Sequence, residues 1–497
     1  MAGGRRVFLE TFGCQMNVLD SELVRSDLVA KGYTFVAEPD QADVVLYNTC
    51  SVRDLSEHKV LSRLGIQRRR KAHEPHVVIG LLGCMAERTG KDLARTMPDL
   101  DVVVGPSELD KLPLLLDDVV AARSQQVALS GHTDRRARVE DRAMDTLEAL
   151  DRGRFTDPDQ GSAQAYVRIT RGCNKFCSFC VVPYTRGPEV HRAPDDIVDE
   201  VRRLVERGVR EVTLLGQTIN HYAVGDTSFA ALLRRVHDEV PDLARLRFLT
   251  SYPRDFTDEA LDVMASSERM CRFLHIPAQH GNDAVLRRMN RGYTRADYLD
   301  LVRRARARMP DVAIVGDMIV GFPGETDADF ADSLSLLDEV RYKTVYVFKY
   351  SPRPGTVADR RDDDDVPDEI KRARNNTMLA HQHAISLSHH DAMKGDVHEV
   401  LVEGIAKIDP AARAAQGGAE IDDGALVALR RRSVLDARSE RTVRLSARTR
   451  GDHIVSLDGP ASLVGRIVQA RITDATALSL SGALVESALD VARGANA

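Results

Sequence analysis

The string G-C-N-K-F-C-S-F-C places Cys173, Cys177 and Cys180 in a C-x3-C-x2-C cluster. Three thiolates at that spacing can hold three irons of a 4Fe-4S cluster and leave the fourth iron without a protein ligand. An open iron can bind a small molecule, so such a cluster can do chemistry as well as carry electrons. The competing reading is a structural zinc knuckle, which wants four ligands in a closed tetrahedron. His191 is the nearest fourth candidate and lies well outside the loop.

A second set of cysteines is spread more widely. Cys14 follows V-F-L-E-T-F-G, Cys50 follows V-V-L-Y-N-T and Cys84 follows V-V-I-G-L-L-G, at separations of 36 and 34 residues. In an open parallel sheet all strand C-termini face one edge, where ligands bind. The three can therefore meet and hold a second three-Cys cluster, again with one open iron. The glycines before Cys14 and Cys84 would let the backbone crowd close to it. Taken singly, each reads more readily as a buried, inert thiol, the commoner fate of a free Cys, and Cys271, which matches neither set, reads as a buried small hydrophobe.

The elements that must position these groups fall into modules. Residues 5–118 alternate β-rich runs with helical stretches such as Asp20 to Lys31, which implies a parallel α/β sheet. Residues 119–163 read as a linker with one helix around Ala143 to Leu150. Residues 164–390 repeat strand, loop, helix. Six strand-like runs (Tyr166–Ile169, Val212–Leu215, Leu246–Leu249, Arg272–Ile276, Ala313–Ile319, Thr344–Phe348) predict a partial (β/α)6 barrel with function on the loops after the strands. Helices are expected at Pro194 to Glu206 and Arg295 to Arg308. Residues 393–485 show period-two alternation over 397–403, 453–457 and 464–472, a small antiparallel β-barrel, with an Ala-, Asp- and Arg-rich insertion near 408–436. The fold class is α/β with this β domain appended.

Bulk properties are those of a soluble globular protein. The chain has 497 residues, 43% hydrophobic and 29% charged, enough for several cores. Neither a run of 18 apolar residues nor a signal-peptide core is present, so no membrane association and a cytoplasmic location are expected. Seven Cys, an odd number, favour metal or redox chemistry over a disulfide frame. A net charge of -6 gives no global sign of nucleic-acid binding. Local runs such as Arg68 to Lys71 and Arg430 to Arg432 read as solvated helix faces or basic patches.

The C-x3-C-x2-C loop resembles that of the radical S-adenosylmethionine (SAM) enzymes, in which SAM chelates the open iron and is cleaved to a 5′-deoxyadenosyl radical. The resemblance implies SAM as cofactor. It puts Phe179 at the aromatic position whose backbone lies near the adenine, where an ordinary apolar anchor is the other reading. It further implies that Gly216 and Gln217 lie near the SAM amino group, and Val320 and Gly321 near its adenine. Glu325 reads as a SAM or substrate contact or as an acidic helix start, and Asp317 has no assigned role. The C-terminal module resembles the TRAM domain, an RNA-binding β-barrel, with Arg448 and Arg450 of A-R-T-R-G-D as phosphate contacts.

Two three-Cys sets and a TRAM-like tail together resemble the methylthiotransferases over nearly the whole chain. E-T-F-G-C-Q-M-N, N-T-C-S-V-R and V-P-Y-T-R-G are most similar to the branch acting on C2 of isopentenyladenosine at tRNA position 37. That implies two 4Fe-4S clusters, two SAM-dependent steps, a tRNA anticodon loop as partner, an electron donor such as flavodoxin or ferredoxin, a sulfur source and a monomeric enzyme. Gln15-Met16-Asn17 carries much of this choice, since relatives acting on threonylcarbamoyl-adenosine usually have C-K-V-N and those acting on a ribosomal-protein Asp C-P-K-N. Thr218 and the string I-P-A-Q-H-G depart from the usual pattern. A non-catalytic RNA-binding or electron-transfer iron–sulfur protein is the alternative of a different class.

Overall fold

The computed structural model describes residues 4–52, 54–122, 124–131, 148, 150, 151, 153, 154, 163–406 and 442–485. The first module is a six-stranded sheet in the order β2-β1-β3-β4-β5-β6: β1 (Arg6–Phe12), β2 (Thr34–Phe35), β3 (Val44–Thr49), β4 (Val78–Leu82), β5 (Val102–Val104) and β6 (Gln126–Ala128). All neighbours pair in parallel. β3 and β4 are buried along their whole length, as strands covered by helices on both faces must be. The helices are α1 (Gln15–Ala30), α2 (Asp54–His73), α3 (Cys84–Thr96) and α4 (Leu112–Ala122).

Two expectations shift. Helix α1 begins directly after Cys14, not at Asp20, because Cys14 is extended (φ -92°, ψ 173°) and serves as the N-cap residue. The sheet also runs past residue 118, since α4 continues to Ala122 and β6 is its edge strand. The helix expected over 143–150 lies mostly outside the described residues, and the 408–436 insertion wholly so.

The second module has parallel strands β7 (Gln164–Arg168), β10 (Glu211–Leu215) and β13 (Arg245–Phe248), then β14 (Phe273–His275), β15 (Ala313–Val320) and β16 (Thr344–Lys349). A parallel bridge between Leu246 and Met270 and a 3.1 Å bond from the Ser251 amide to the His275 carbonyl join the two halves into one curved wall. Each of the six expected runs is a strand, and helices Pro194–Glu206 and Arg295–Arg308 have the expected bounds. Two short hairpins interrupt the repeat: β8 (Thr170–Arg171) with β9 (Val190–His191), and β11 (Ala223–Val224) with β12 (Thr227–Ser228). On the wall, Leu274, Ile314, Met318 and Val345 pack outward into the largest apolar core. The alternate positions, among them His275, Asp317 and Tyr346, therefore face the lumen.

The third module is a closed barrel, β17 (Val397–Ile405)–β18 (Thr442–Thr449)–β19 (Ile454–Pro460)–β21 (Leu480–Leu484)–β20 (Ile467–Ala475). Strand β18 contains the A-R-T of the A-R-T-R-G-D string, so what read as a basic loop is largely a strand. Among the described residues no helix is long and apolar enough to cross a membrane.

The barrel docks on the N-terminal end of the wall. Arg245, first residue of β13, donates to Glu399 Oε1 at 2.9 Å and to the Arg448 carbonyl at 2.9 Å. Arg448 Nε donates to Glu403 Oε1 at 2.8 Å and its Nη1 to Asp452 Oδ1 at 3.0 Å, while Lys343, just before β16, meets Asp452 Oδ2 at 3.1 Å. Arg450 Nη2 donates to the Glu268 and Met270 carbonyls. Arg448 and Arg450, expected as phosphate contacts, are both engaged within the protein in this structure. Arg448 is neutralised by two carboxylates and Arg450 caps backbone carbonyls, at the end of the wall opposite the strand C-termini. Burial alone would raise the Asp452 carboxyl, but Arg448, Lys343 and Arg247 hold it well below the usual carboxylate range. Its stabilisation is therefore complete above the unfolded value of about 3.9 and falls away as pH drops below that.

Replacing Arg448 with alanine removes one partner each from Glu403 and Asp452, which keep Gln164 and Lys343, and should lower stability by about 2 kcal/mol in denaturant titration. The salt dependence of any RNA binding should stay unchanged. A log–log slope reduced by about one would return Arg448 to the RNA interface.

Candidate functional site

Strands β1, β3 and β4 are neighbours in the sheet, so the residues just past their C-termini meet at one edge. Cys14 follows β1 by two residues, Cys50 follows β3 directly, and Cys84 is the first residue of α3. The Cys14 and Cys50 thiols interact with each other. That contact, helped by the positive charge of Arg186, pulls Cys14 down to about 6, and it and burial push Cys50 up. Burial raises Cys84. The glycines before Cys14 and Cys84 allow close packing at this edge. A Cβ on Gly13 (φ +125°) would stand 2.2 Å from Cys50 Cβ, and one on Gly83 (φ +90°) 2.2 Å from Asn48 Oδ1. They let the cysteine loops crowd each other.

Two asparagines lock this edge. Asn17 Nδ2 donates to Asn48 Oδ1 at 3.0 Å, and Asn48 returns a bond to the Asn17 carbonyl at 2.9 Å. Cys14 Sγ donates to Asn17 Oδ1 at 3.2 Å. Met16 packs with Leu19, Leu23 and Leu215, joining the first module to the second. Met16 and Asn17 of the Q-M-N string are thus packed, loop-holding residues.

The second cysteine group sits on the loop between β8 and β9. Gly172 has φ +73°, and a Cβ there would lie 1.9 Å from the Pro188 carbonyl oxygen, so the loop closes tightly on itself. Cys173 Sγ lies 3.2 Å from Thr218 Oγ1, on the loop after β10. Arg291 donates from Nη1 to Cys177 Sγ at 3.2 Å, and is held by Tyr293 Oη at 2.8 Å and the Pro277 carbonyl at 3.0 Å. Burial pushes Cys173 and Cys180 up. Phe179 packs edge-on against Phe322, with ring centroids 6.4 Å apart, so it anchors the loop in apolar surroundings.

The two groups are coupled through charge. Asp20 of α1 is fully buried and accepts from Arg186 Nη2 at 2.7 Å, six residues past Cys180. Arg186 Nη1 is buried without a hydrogen-bond partner. Arg171 donates to the Pro106 carbonyl at 3.4 Å, and burial together with Arg168 and Arg186 pushes it down to about 9. Sequence reasoning assigned no role to Arg186, Arg291 or Asp20. The signal for Arg186 was its place in V-P-Y-T-R-G.

The loops expected to hold SAM line the same end. Gly216 is packed against Thr170 and Ile219, and Gln217 Oε1 is buried with no hydrogen-bond partner, an acceptor of the kind an ammonium group needs. Gly321 (φ +71°) and Phe322 donate their amides to Glu325 Oε2 at 2.7 and 3.2 Å, and Arg374 holds Oε1 at 3.0 Å. Glu325 therefore staples the Val320–Gly321 loop, and Thr326 caps the following helix. In the lumen, Asp317 Oδ2 lies 3.3 Å from His275 Nε2. Cys271 is buried with Phe273, Ala313 and Val315, away from both groups.

Each group thus offers three soft sulfur donors at a strand-end loop. Among the described residues the one trio of His, Cys, Asp or Glu ligand atoms all within 4.8 Å of one another is Glu189, His191 and His221, so neither cysteine trio is that tight. Wide three-sulfur sets suit a cluster better than a single ion.

The comparisons decide the family. The radical SAM superfamily model matches residues 167–337, and that of uncharacterized protein family UPF0004 matches residues 6–105. A tRNA-2-methylthio-N(6)-dimethylallyladenosine synthase of Rhodopirellula baltica is 42% identical over 485 residues, 96% of this chain and 95% of the relative. The chain belongs to the tRNA-2-methylthio-N(6)-dimethylallyladenosine synthase family. Members from Porphyromonas gingivalis and Geobacter metallireducens are 40% and 39% identical, each over 97% of this chain and 96% and 99% of the relative. The radical SAM methyltransferase TsrM of Kitasatospora setae superposes with TM-score 0.51 at 16% identity, over 71% of this chain and 74% of that one, which shows a shared fold. As a radical SAM methylthiotransferase, this synthase-family chain uses SAM and two 4Fe-4S clusters.

Arg291→Ala removes the N–H···S contact to Cys177. Loss of such an outer partner should slow 5′-deoxyadenosine formation roughly 10–100-fold with iron content retained. Unchanged rates would make Arg291 a packing residue only.

Proposed function

We propose that this chain adds a methylthio group to C2 of N6-isopentenyladenosine at tRNA position 37. The observation that carries the proposal is the pair of three-cysteine loops, each without a fourth Cys, brought to one end of the fold in a chain so similar to these synthases over its full length. Cys14, Cys50 and Cys84 hold the auxiliary cluster, and Cys173, Cys177 and Cys180 hold the one that binds SAM. When bound, the clusters supply sulfur for methylation by one SAM and the electron that cleaves a second SAM to the 5′-deoxyadenosyl radical.

The protein's own residues bind, orient and exclude water. Gly216 and Gln217 receive the SAM amino end, while Val320, Gly321 and Phe179 border its adenine. Glu325 fixes that border by holding two loop amides. The target base leaves the anticodon loop stack, as RNA bases usually do when read in single strands. It enters the lumen, where His275 and Asp317 offer polar atoms and Tyr346, 44% exposed, offers a ring face. The docked barrel covers the opposite end of the wall. An external one-electron donor of the flavodoxin or ferredoxin class and a sulfur source complete the cycle.

Mass spectrometry of tRNA nucleosides from cells with and without the gene tests the substrate. Loss of 2-methylthio-isopentenyladenosine with accumulation of its unthiolated precursor is expected, and an unchanged profile would refute it. With purified protein, Cys177→Ala should abolish 5′-deoxyadenosine formation. Cys50→Ala should abolish methylthiolation and lower iron from about eight to about four per chain. Intact iron and activity in Cys50→Ala would remove it from the auxiliary site.

A further inference from the structure

Outside both cysteine groups lies a third set of ligand atoms. Glu189, His191 and His221 each present one, and the three atoms lie within 4.8 Å of one another. His191 is on β9 and Glu189 immediately precedes that strand, while His221 comes from the loop after β10. Their backbones are held independently of any ion. The Glu189 amide donates to Asn174 Oδ1 at 3.2 Å, the Arg192 amide to the Ile169 carbonyl at 3.0 Å, and the His221 amide to the Thr218 carbonyl at 3.1 Å. The His191 ring also stacks edge-on against Tyr222 at 5.5 Å.

An ordinary ion pair accounts for part of the arrangement, since His221 Nδ1 lies 2.6 Å from Glu189 Oε2. It leaves two atoms unexplained. The Glu189 side chain is only 1% exposed, and its other oxygen, Oε1, is buried without a hydrogen-bond partner. His191 Nδ1 is likewise buried and unpartnered. A buried carboxylate oxygen and a buried imidazole nitrogen left unpaired are costly, and unpaired groups of this kind call for a ligand. A cation that accepts lone pairs from both would relieve them together.

We propose that Glu189, His191 and His221 bind a divalent transition-metal ion at a third metal site. Two imidazoles and one carboxylate match Zn2+ first, with one coordination position left over. Such an ion would tie two arms of the radical SAM site. β9 pairs with β8, which leads into Cys173, and Thr218, three residues before His221, touches Cys173 Sγ at 3.2 Å. The ion would act by positioning, through the backbone on either side of Cys173.

The test uses cluster-loaded holoprotein prepared anaerobically, so that the six cluster cysteines are occupied, and titrates it with Zn2+. The expected result is about one zinc per chain, with an X-ray absorption first shell of N and O at about 2.0–2.1 Å and no sulfur. His221→Ala and His191→Gln should each lose that zinc while iron and sulfide per chain stay constant. His221 is 45% exposed in its side chain, so its variant should fold. Zinc should raise the thermal midpoint of the parent and not of either variant. No zinc uptake, zinc retained in both variants, or a sulfur shell at about 2.3 Å would each overturn the proposal.

Discussion

The contact between Asp20 and Arg186 carries more of this structure than its size suggests. Both side chains are buried, they meet at 2.7 Å, and they are 166 residues apart in the chain. Two buried charges are tolerated only when each is close to the other, since separation would leave both uncompensated. Asp20 also has Arg168 at 3.9 Å, and Arg168 in turn binds Asp151. The network continues through Arg192 to Glu200 at 2.7 Å and Glu148 at 2.6 Å. Its effect is geometric. Asp20 rides on α1, whose first turn is fixed by Cys14. Arg186 rides on the segment that closes the loop of Cys173, Cys177 and Cys180. One buried ion pair therefore ties the helix that follows Cys14 to the segment that closes the second cysteine loop, and a shift in either would unpair a charge.

Why the groups share one end of the fold follows from simpler rules. In both modules the strands are parallel, so loops leaving their C-termini cluster on one edge. The first module needs three adjacent strands, β1, β3 and β4, to bring together cysteines far apart in sequence. The second achieves the same with a single tight loop, since β8 and β9 pair across it. The opposite edge is free for a different purpose, and the barrel takes it. Arg245, Arg247, Glu211 and Lys343 all stand at or beside strand N-termini, and their charges are matched by Glu399, Glu403, Arg448 and Asp452 of the barrel face.

What could be read in advance divides along the same physical lines. Periodicity and β-rich runs locate all six wall strands, and the position of each cysteine after such a run is enough to gather them on one edge. Local patterns do not reveal which charge meets which. Arg448 lies in a basic stretch that looks the same whether its counter-charges are phosphates or the carboxylates of Glu403 and Asp452. Arg291 and Arg186 were equally opaque, because their partners lie 114 and 166 residues away. Strand β21, Leu-Ser-Gly-Ala-Leu, lacks the β-branched residues that mark a strand and forms because the closed barrel needs it. Helix α1 begins early because Cys14 is both a cap and a site residue, a dual use no propensity encodes.

The asymmetry between the two ends bears on how RNA must approach. The sheet edge and the wall top hold the cysteine loops, the unpartnered Gln217 oxygen and the unpartnered Nη1 of Arg186. The barrel's best-placed arginines are consumed in docking at the far end. A ligand approaching the lumen from the strand C-termini therefore meets unsatisfied polar groups there, while the barrel offers only faces not used to hold the wall. Binding energy spent near the reacting base also orients it there. The loops that carry the cysteines are then the ones placed to orient whatever enters the lumen.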